Sequence, residues 1–271
     1  MSTKRSIGMF AFAVGAAAFL LVGQVTPASA YQASPLATRA LNPNVAPGGN
    51  FDLSHWELQL PTGTTNHTTT ISNTQLEGPT GYQSKYFFTN KTDGSMSFWD
   101  PENGVTLGSR FPRTELRELD SNGAPIEWSA PGTHKLSATL KVTQLPSHVA
   151  VGQIHLDNSS GSSKPLLELF YFSNGDVDMA IEQTPAGGNE VHHVVANVPL
   201  GTQWSYVISL TGGNTIGIAV NGGATHTFGV SSSFNGIKMY FKAGDYDQST
   251  GNSSTVGARV QFYALSIFHG A

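Results

Sequence analysis

From Phe51 onward the chain alternates apolar and polar residues in steps of two. Trp56, Leu58 and Leu60 alternate with Glu57 and Gln59, and Leu136, Ala138, Leu140 and Val142 alternate with Lys135, Ser137, Thr139 and Lys141. The period returns at Val177, Met179 and Ile181, at Trp204, Tyr206, Ile208 and Leu210, at Ile216, Ile218 and Val220, and at Val260, Phe262 and Ala264. Neighbouring side chains of a strand point to opposite faces, so each run predicts a half-buried strand. Turn signals separate the runs: Ser173-Asn174-Gly175-Asp176, Gly212-Gly213-Asn214 and Asn221-Gly222-Gly223, the last favouring a tight hairpin. Helical periodicity is nearly absent, and there is no tandem repeat. Many short strands with glycine-rich turns predict an all-β chain, an antiparallel β-sandwich of jelly-roll type.

The first residues follow another pattern. Lys4 and Arg5 precede an apolar stretch from Met9 to Val22, and Ala28-Ser29-Ala30 supplies a small-residue cleavage pattern. Residues 1–30 therefore read as a secretory signal peptide. The apolar stretch is interrupted at Gly15 and is shorter than the roughly 18 residues a spanning helix needs, which argues against a membrane anchor. Residues 31–48, rich in Pro, Ala, Asn and Gly, predict a flexible lead-in. Residues 49–271 are read as a single jelly-roll domain, exported to the extracellular space, free of the membrane once the signal is removed, and monomeric by default.

Composition narrows the chemistry. The chain has no cysteine, so it is held together by burial and offers neither a thiol nucleophile nor a cysteine zinc site. Its formal charge is −4; without residues 1–30, which hold Lys4 and Arg5 and no acid, 12 basic groups face 18 acidic ones, a net of −6. That balance disfavours nucleic acid as a partner. A polyanionic substrate would have to be captured by a local basic cluster, for which Arg110, Arg113, Arg117, Lys238 and Lys242 are the candidates.

Three polar stretches also run on alternate residues: Arg113, Glu115 and Arg117; Gln153 and His155; Tyr240 and Lys242, continuing to Tyr246 and Gln248. Leu116, Ile154, Leu156, Met239, Phe241 and Ala243 fall on the opposite faces. Three strands would thus present guanidinium, carboxamide, imidazole, ammonium and phenol to solvent, a set suited to an anion that carries an acidic C–H bond. Singly, each stretch has a plainer reading. Arg113 to Arg117 is an ordinary solvated charge ladder, and a Gln-x-His triplet arises by chance. Gly244 breaks its strand where Tyr246 and Gln248 can be re-aimed. His192 and His193 are adjacent and point apart in a strand, so no metal is expected, and no cofactor signature is present.

Arg113-Thr-Glu-Leu-Arg117, Gln153-Ile-His155 and Tyr240-Phe-Lys-Ala-Gly-Asp-Tyr-Asp-Gln248, in this order, resemble the three signature segments of the alginate lyases of polysaccharide lyase family 7. Phe51-Asp-Leu-Ser-His-Trp-Glu-Leu-Gln-Leu-Pro-Thr-Gly63 resembles that family's first strand, and the likeness covers about residues 49–268. The resemblance implies a jelly roll with a concave substrate cleft, an anionic uronate polysaccharide as partner, and cleavage of alginate by β-elimination. It implies catalytic roles for Arg113, Gln153, His155 and Tyr246, with either Arg113 or Arg117 as the main neutraliser of the substrate carboxylate. Arg117, Glu115, Lys242, Tyr240 and Gln248 would then contact substrate, Glu115 chiefly by holding the arginines. Ile154 resembles family members that accept guluronate-containing polymer.

The chemistry asks for such a set. Removing the C5 proton of a uronate places a second negative charge next to a carboxylate, so donors must hold that carboxylate as charge develops. A base takes the proton, either Tyr246 or His155 according to the C5 configuration of the sugar, and Tyr246 protonates the leaving oxygen. Endolytic action is expected, with Thr62 to Asn73 and Pro185 to Asn189 as segments able to close the cleft. Two alternatives compete. A glycoside hydrolase needs two carboxylates flanking the bond, which Asp176, Asp178 and Glu168 do not lay out compactly. A non-catalytic carbohydrate-binding module would use exposed aromatics such as Trp56, Trp99, Trp128 and Trp204, which in sandwiches belong to the core.

Overall fold

The computed structural model describes residues 40–158 and 164–271. The signal-peptide reading of residues 1–30 and the lead-in up to residue 39 lie outside the described residues. The described strands, in chain order, are β1 (Trp56–Thr64), β2 (His67–Ile71), β3 (Phe87–Thr89), β4 (Met96–Pro101), β5 (Thr114–Glu118), β6 (Trp128–Ser129), β7 (Thr133–Gln144) and β8 (His148–Leu156). They continue with β9 (Pro165–Phe172), β10 (Asp176–Ile181), β11 (Val191–Asn197), β12 (Trp204–Thr211), β13 (Thr215–Val220), β14 (His226–Gly229), β15 (Lys238–Asp247) and β16 (Gly257–Gly270).

Two antiparallel sheets result. One runs β11-β10-β9-β8-β15-β5-β1-β2, with β6 paired to β15, and the other runs β14-β13-β12-β7-β16-β4-β3. The alternation read from the sequence decides which face is inside. Leu58, Leu116, Ile154, Phe241 and Met179 of the first sheet meet Leu140, Tyr206, Ile208, Ile218 and Phe262 of the second in one apolar core. Burial of apolar surface at about 25 cal/mol per Å² is what holds a cysteine-free sandwich closed. All four tryptophans are buried, none more than 7% exposed, so none offers a stacking surface for a sugar.

Strict pairing is interrupted at several places, three of which bear on the site and its core. In β16 a register shift between Phe262 and Ala264 breaks the phase that the sequence extends through Ala264. In β8 an irregularity against β9 between Ala150 and Gly152 switches the phase, so that Val149 and Val151 face the core before it and Ile154 and Leu156 after it, while Ala150 joins the outer-face cluster of Phe170, Ala180 and Tyr246. In β15 a third shift lies between Ala243 and Tyr246. Such bulges re-aim side chains at the cost of one unpaired position. The expected lead-in is corrected over its described part: Ala46 is buried and donates its N–H to Pro79 O at 2.8 Å, and Leu41 packs on the core. Thr62 to Asn73 is corrected as well, since most of it is the β1–β2 hairpin.

Gly244 sits at the β15 shift with φ 150°. A Cβ there would lie 2.8 Å from Thr114 O and 2.9 Å from Glu115 Cα. Both are backbone atoms of β5 and have little room to move. Gly244→Ala should therefore lower unfolding free energy by about 1–3 kcal/mol, read from the denaturant midpoint; an unchanged midpoint would show that β15 does not depend on this close approach.

Candidate active site

The three polar segments lie on adjacent strands at the centre of the larger sheet. Lys242 of β15 stands opposite Gln153 of β8 on one side and Arg117 of β5 on the other, and Gln153 in turn stands opposite Glu168 of β9. Tyr240 is opposite His155. Glu115 is opposite Gly244, which carries no side chain. That slot lets a carboxylate lie flat on the sheet where diagonal neighbours can reach it.

The reach is used fully. One Glu115 oxygen accepts from Gln153 Nε2 at 2.5 Å; the other accepts from Arg113 Nη1 at 3.0 Å and Lys242 Nζ at 2.5 Å. Glu115 has no exposed surface, and Gln153 and Lys242 are buried with it. Burial alone would push the Glu115 carboxyl up, but Lys242 and Arg113 outweigh it and hold it below the ordinary carboxylate range. Burial, and then the charge of Arg113, bring Lys242 down to about 8. The sequence reading of a solvated ladder is thereby corrected: the charges are inside, paired and hydrogen-bonded.

Two aromatic stacks flank this network. The Arg113 guanidinium lies 3.7 Å from the Tyr246 ring centroid, and Tyr246 also packs on the cluster of Ala150, Phe170 and Ala180. On the other side Arg117 lies 4.0 Å from the Tyr240 ring, and His155 stacks on Tyr240 at 5.0 Å between centroids. His155 Nδ1 lies 2.8 Å from the backbone oxygen of Leu156. A carbonyl only accepts, so Nδ1 holds the proton and Nε2 keeps its lone pair. Burial first, then Lys242, lower the His155 pKa to about 3, so the ring is neutral at ordinary pH. Burial raises the Tyr246 phenol, and the nearby Arg113 only partly offsets this, so the phenol keeps its proton.

A cleft of about 330 Å³ opens on this face. Arg113, Gln153, His155 and Tyr246 all line it, and so does Gln248. The other residues expected at the substrate do not. Glu115 and Lys242 are buried outside the lining and ion-paired to each other at 2.5 Å, and Glu115 also holds Arg113 and Gln153. Arg117 and Tyr240 stand to one side of the cleft. Arg117 donates to Glu118 O at 2.8 Å and approaches Glu57 at 3.9 Å, so Glu115 holds Arg113 and not both arginines.

Of the basic candidates, Arg110 lines the cleft with Arg113, but the sequence reading missed other parts of the lining. Glu168, Glu190 and the rest of the segment Gly108–Phe111 form walls of the cleft. Glu168 did leave a signal, a single charge on the outward phase of the apolar strand Pro165–Phe172, whereas the 108–111 segment follows no period at all. His192 and His193 do point apart: His192 lies 3.3 Å from Asp178 and His193 packs on Phe228.

An antiparallel jelly roll whose larger sheet gathers arginine, amide, imidazole and phenol around one cleft is the architecture of a polysaccharide lyase. A family model described as alginate lyase matches residues 51–269. An alginate lyase from Klebsiella pneumoniae is 26% identical over 282 residues, covering 83% of this chain and 92% of its own. Among solved structures, the family 7 alginate lyase A1-II', crystallised with a substrate written GGMG, matches with a TM-score of 0.74 at 37% identity over 83% of this chain and 97% of its own. An alginate lyase from Pseudomonas aeruginosa matches with a TM-score of 0.72 at 33% identity, over 80% of this chain and 99% of its own. The chain belongs to the alginate lyase family, polysaccharide lyase family 7.

Neutralising Glu115 while keeping its shape isolates its part in the site. Glu115→Gln leaves Arg113 and Lys242 buried without a counter-charge and should cost about 3–5 kcal/mol in stability. Adding Lys242→Met removes one stranded cation and should restore more than half of the loss. Equilibrium denaturation of both variants measures this, and a single variant within ~0.5 kcal/mol of the parent, the scale of ordinary surface changes, would mean the network is not ionised.

Proposed function

We propose that the protein cleaves alginate within the chain by β-elimination, leaving an unsaturated uronate at the new non-reducing end. The observation that carries this reading is the convergence of Arg113, Gln153, His155 and Tyr246 on one cleft, although they come from three separate segments of the chain. In this reading Arg113 grips the substrate carboxylate, and Gln153 adds the second N–H of its amide, the first being held by Glu115. Preorganised donors of this kind contribute roughly 3–4 kcal/mol each to transition-state stabilisation. They make the C5 proton removable by a weak base.

The protonation states support a division of labour. His155 offers a bare Nε2 and takes the C5 proton of a guluronate. The electron pair of the C5–H bond becomes the C4–C5 double bond as the C4–O4 bond breaks, and Tyr246 gives its proton to O4. No water is consumed. Mannuronate presents its C5 proton from the opposite face, and there Tyr246 serves as base as well as acid, its phenolate favoured by Arg113. In support, A1-II' was crystallised with GGMG in a form with one histidine and one tyrosine replaced, the two side-chain types assigned here to proton transfer. Beyond Tyr246 the same face continues through Phe170, Phe172 and His148, which stack on one another. A face that extends past the cleft suits a polymer lying across it and hence endolytic cutting. The basic and apolar run of residues 1–30 supports export, and we infer a secreted monomer.

Incubation with alginate and with its mannuronate and guluronate blocks, followed by ultraviolet absorbance and product size, tests the reaction: absorbance should rise while mixed oligomers appear early. New reducing ends without absorbance would mean hydrolysis and end this reading. Tyr246→Phe should lower kcat by about 10²–10⁴-fold with binding retained, the range for loss of a general acid or base. With His155 neutral down to about pH 3, its NMR titration should show no midpoint near the free value of ~6.5; a midpoint there would remove the basis for its neutral, base-ready form.

A further inference from the structure

Glu168 is out of place in a cleft for a polyanion. It lies on β9 directly opposite Gln153, lines the cleft with Arg113 and Tyr246, and is only 9% exposed. Among the described residues no hydrogen bond reaches its carboxyl group, and it forms no ion pair. The two cations nearest in charge, Arg113 and Lys242, are both committed to Glu115. The outward neighbours of Glu168 along β9 are Phe170 and Phe172, so nothing in the strand itself calls for a charge there. An ionised carboxylate at this position would repel substrate and stand buried without a partner. A neutral one is a hydrogen-bond donor aimed into the cleft.

We propose that Glu168 acts in its protonated form as a substrate-binding donor, giving its O–H to a uronate carboxylate oxygen in the cleft, and that its ionisation releases the polymer. The proposal rests on the uronate reading of the cleft and adds a group to it. The surroundings hold the proton in place. Burial, then the nearby carboxylates Glu190 and Glu115, raise the Glu168 pKa to about 8 against the opposing pull of Arg113 and Lys242. Glu190 is itself raised, by burial and by Glu182. From the strands packed on either side, β8 contributes the uncharged Gln153 and the neutral His155, and β10 contributes Ala180 directly opposite. From β15 comes the protonated Tyr246, Lys164 stands at the rim just before β9, and Arg110 lines the cleft from the segment ahead of β5.

The sign of the pH effect follows. Below about pH 8 Glu168 is neutral and donates; above it the carboxylate forms beside the substrate carboxylate, and binding is lost. If only the protonated form binds, KM should rise about tenfold between pH 7 and pH 9. Glu168→Gln keeps an N–H donor but cannot ionise; its KM should be about threefold above the parent at pH 7 and then stay level to pH 9. Glu168→Ala, with no donor, should show a KM about tenfold higher at pH 7 with kcat little changed. A Glu168→Gln profile that keeps the parent's alkaline rise in KM would overturn the proposal. A direct reading comes from the carbon-13 titration of Glu168 in the Tyr246→Phe protein, with and without an alginate oligosaccharide. A neutral carboxyl at pH 7 whose midpoint moves upward on binding supports the role; an ionised one, or a midpoint that does not move, refutes it. That titration reports binding alone, so it decides the role of Glu168 even if no unsaturated product forms.

Discussion

The site depends on one buried carboxylate. Glu115 is fully enclosed on the outer face of the larger sheet, and its two oxygens take three donors from three segments: Arg113 just ahead of β5, Gln153 on β8 and Lys242 on β15. Withdrawing a charge from water is costly, and only close, well-directed partners offset it. Because those partners sit on neighbouring strands, the attraction that satisfies Glu115 also fixes the lateral position of each. Arg113 is held against the Tyr246 ring, and Gln153 is left with one N–H for the cleft. A group beneath the cleft thus sets the geometry of those that line it. Gly244 is the permissive element, since a Cβ there would run into the β5 backbone at Thr114 and Glu115 and into Phe98.

The other face of β15 carries a second electrostatic constraint. Asp245 and Asp247 flank Tyr246 in sequence, and strand alternation turns both inward while Tyr246 turns out. They meet Asp100 of β4, whose Oδ2 accepts the Asp247 N–H at 3.2 Å. Neither oxygen of Asp245 has a hydrogen-bond partner among the described residues. Burial, reinforced by the mutual repulsion of these acids, pushes Asp100 and Asp245 well above the carboxylate range. Tyr246 is therefore anchored between a cation stacked on its outer side and a cluster of buried acids held under its backbone.

What the sequence disclosed and what it hid divide along physical lines. The strands were legible because a sandwich core enforces period two, as in Trp204, Tyr206, Ile208 and Leu210, all buried where the pattern put them. The inward and outward phases of β5 and β15 were legible for the same reason, and they brought Arg113, Gln153, His155 and Tyr246 onto one face. Burial of the polar face was not legible. Alternation tells which residues share a side of a sheet, but whether that side is wet depends on segments such as Gly108–Phe111 folding over it, and these follow no period. The bulge at Ala150–Gly152 was hidden too, since Val149, Ala150 and Val151 are all apolar and no pattern marks the extra residue. Glu118 shows the converse. Its phase is inward, and it accepts from Trp128 Nε1 and Phe241 N inside the core, a role that a charged residue in sequence does not announce.

Charge accounting within the cleft bears on how a protein of net negative charge handles a polyanion. Under the cleft floor Arg113 and Lys242 are positive and Glu115 negative, His155 and Glu168 are neutral, and the walls add Arg110, Lys164 and Glu190. A charge in a site shielded from water interacts strongly at contact distance but is screened within about 8–10 Å in physiological salt. Attraction thus acts on a polymer already at the cleft, with little left for steering from afar. That suits catalysis on a repeating polyanion. Every unit of the polymer carries the same charge, so a uniformly positive groove would hold substrate and product alike and slow release, whereas a cleft that sets Glu168 and Glu190 among its cations leaves selectivity to the uronate on which negative charge is building.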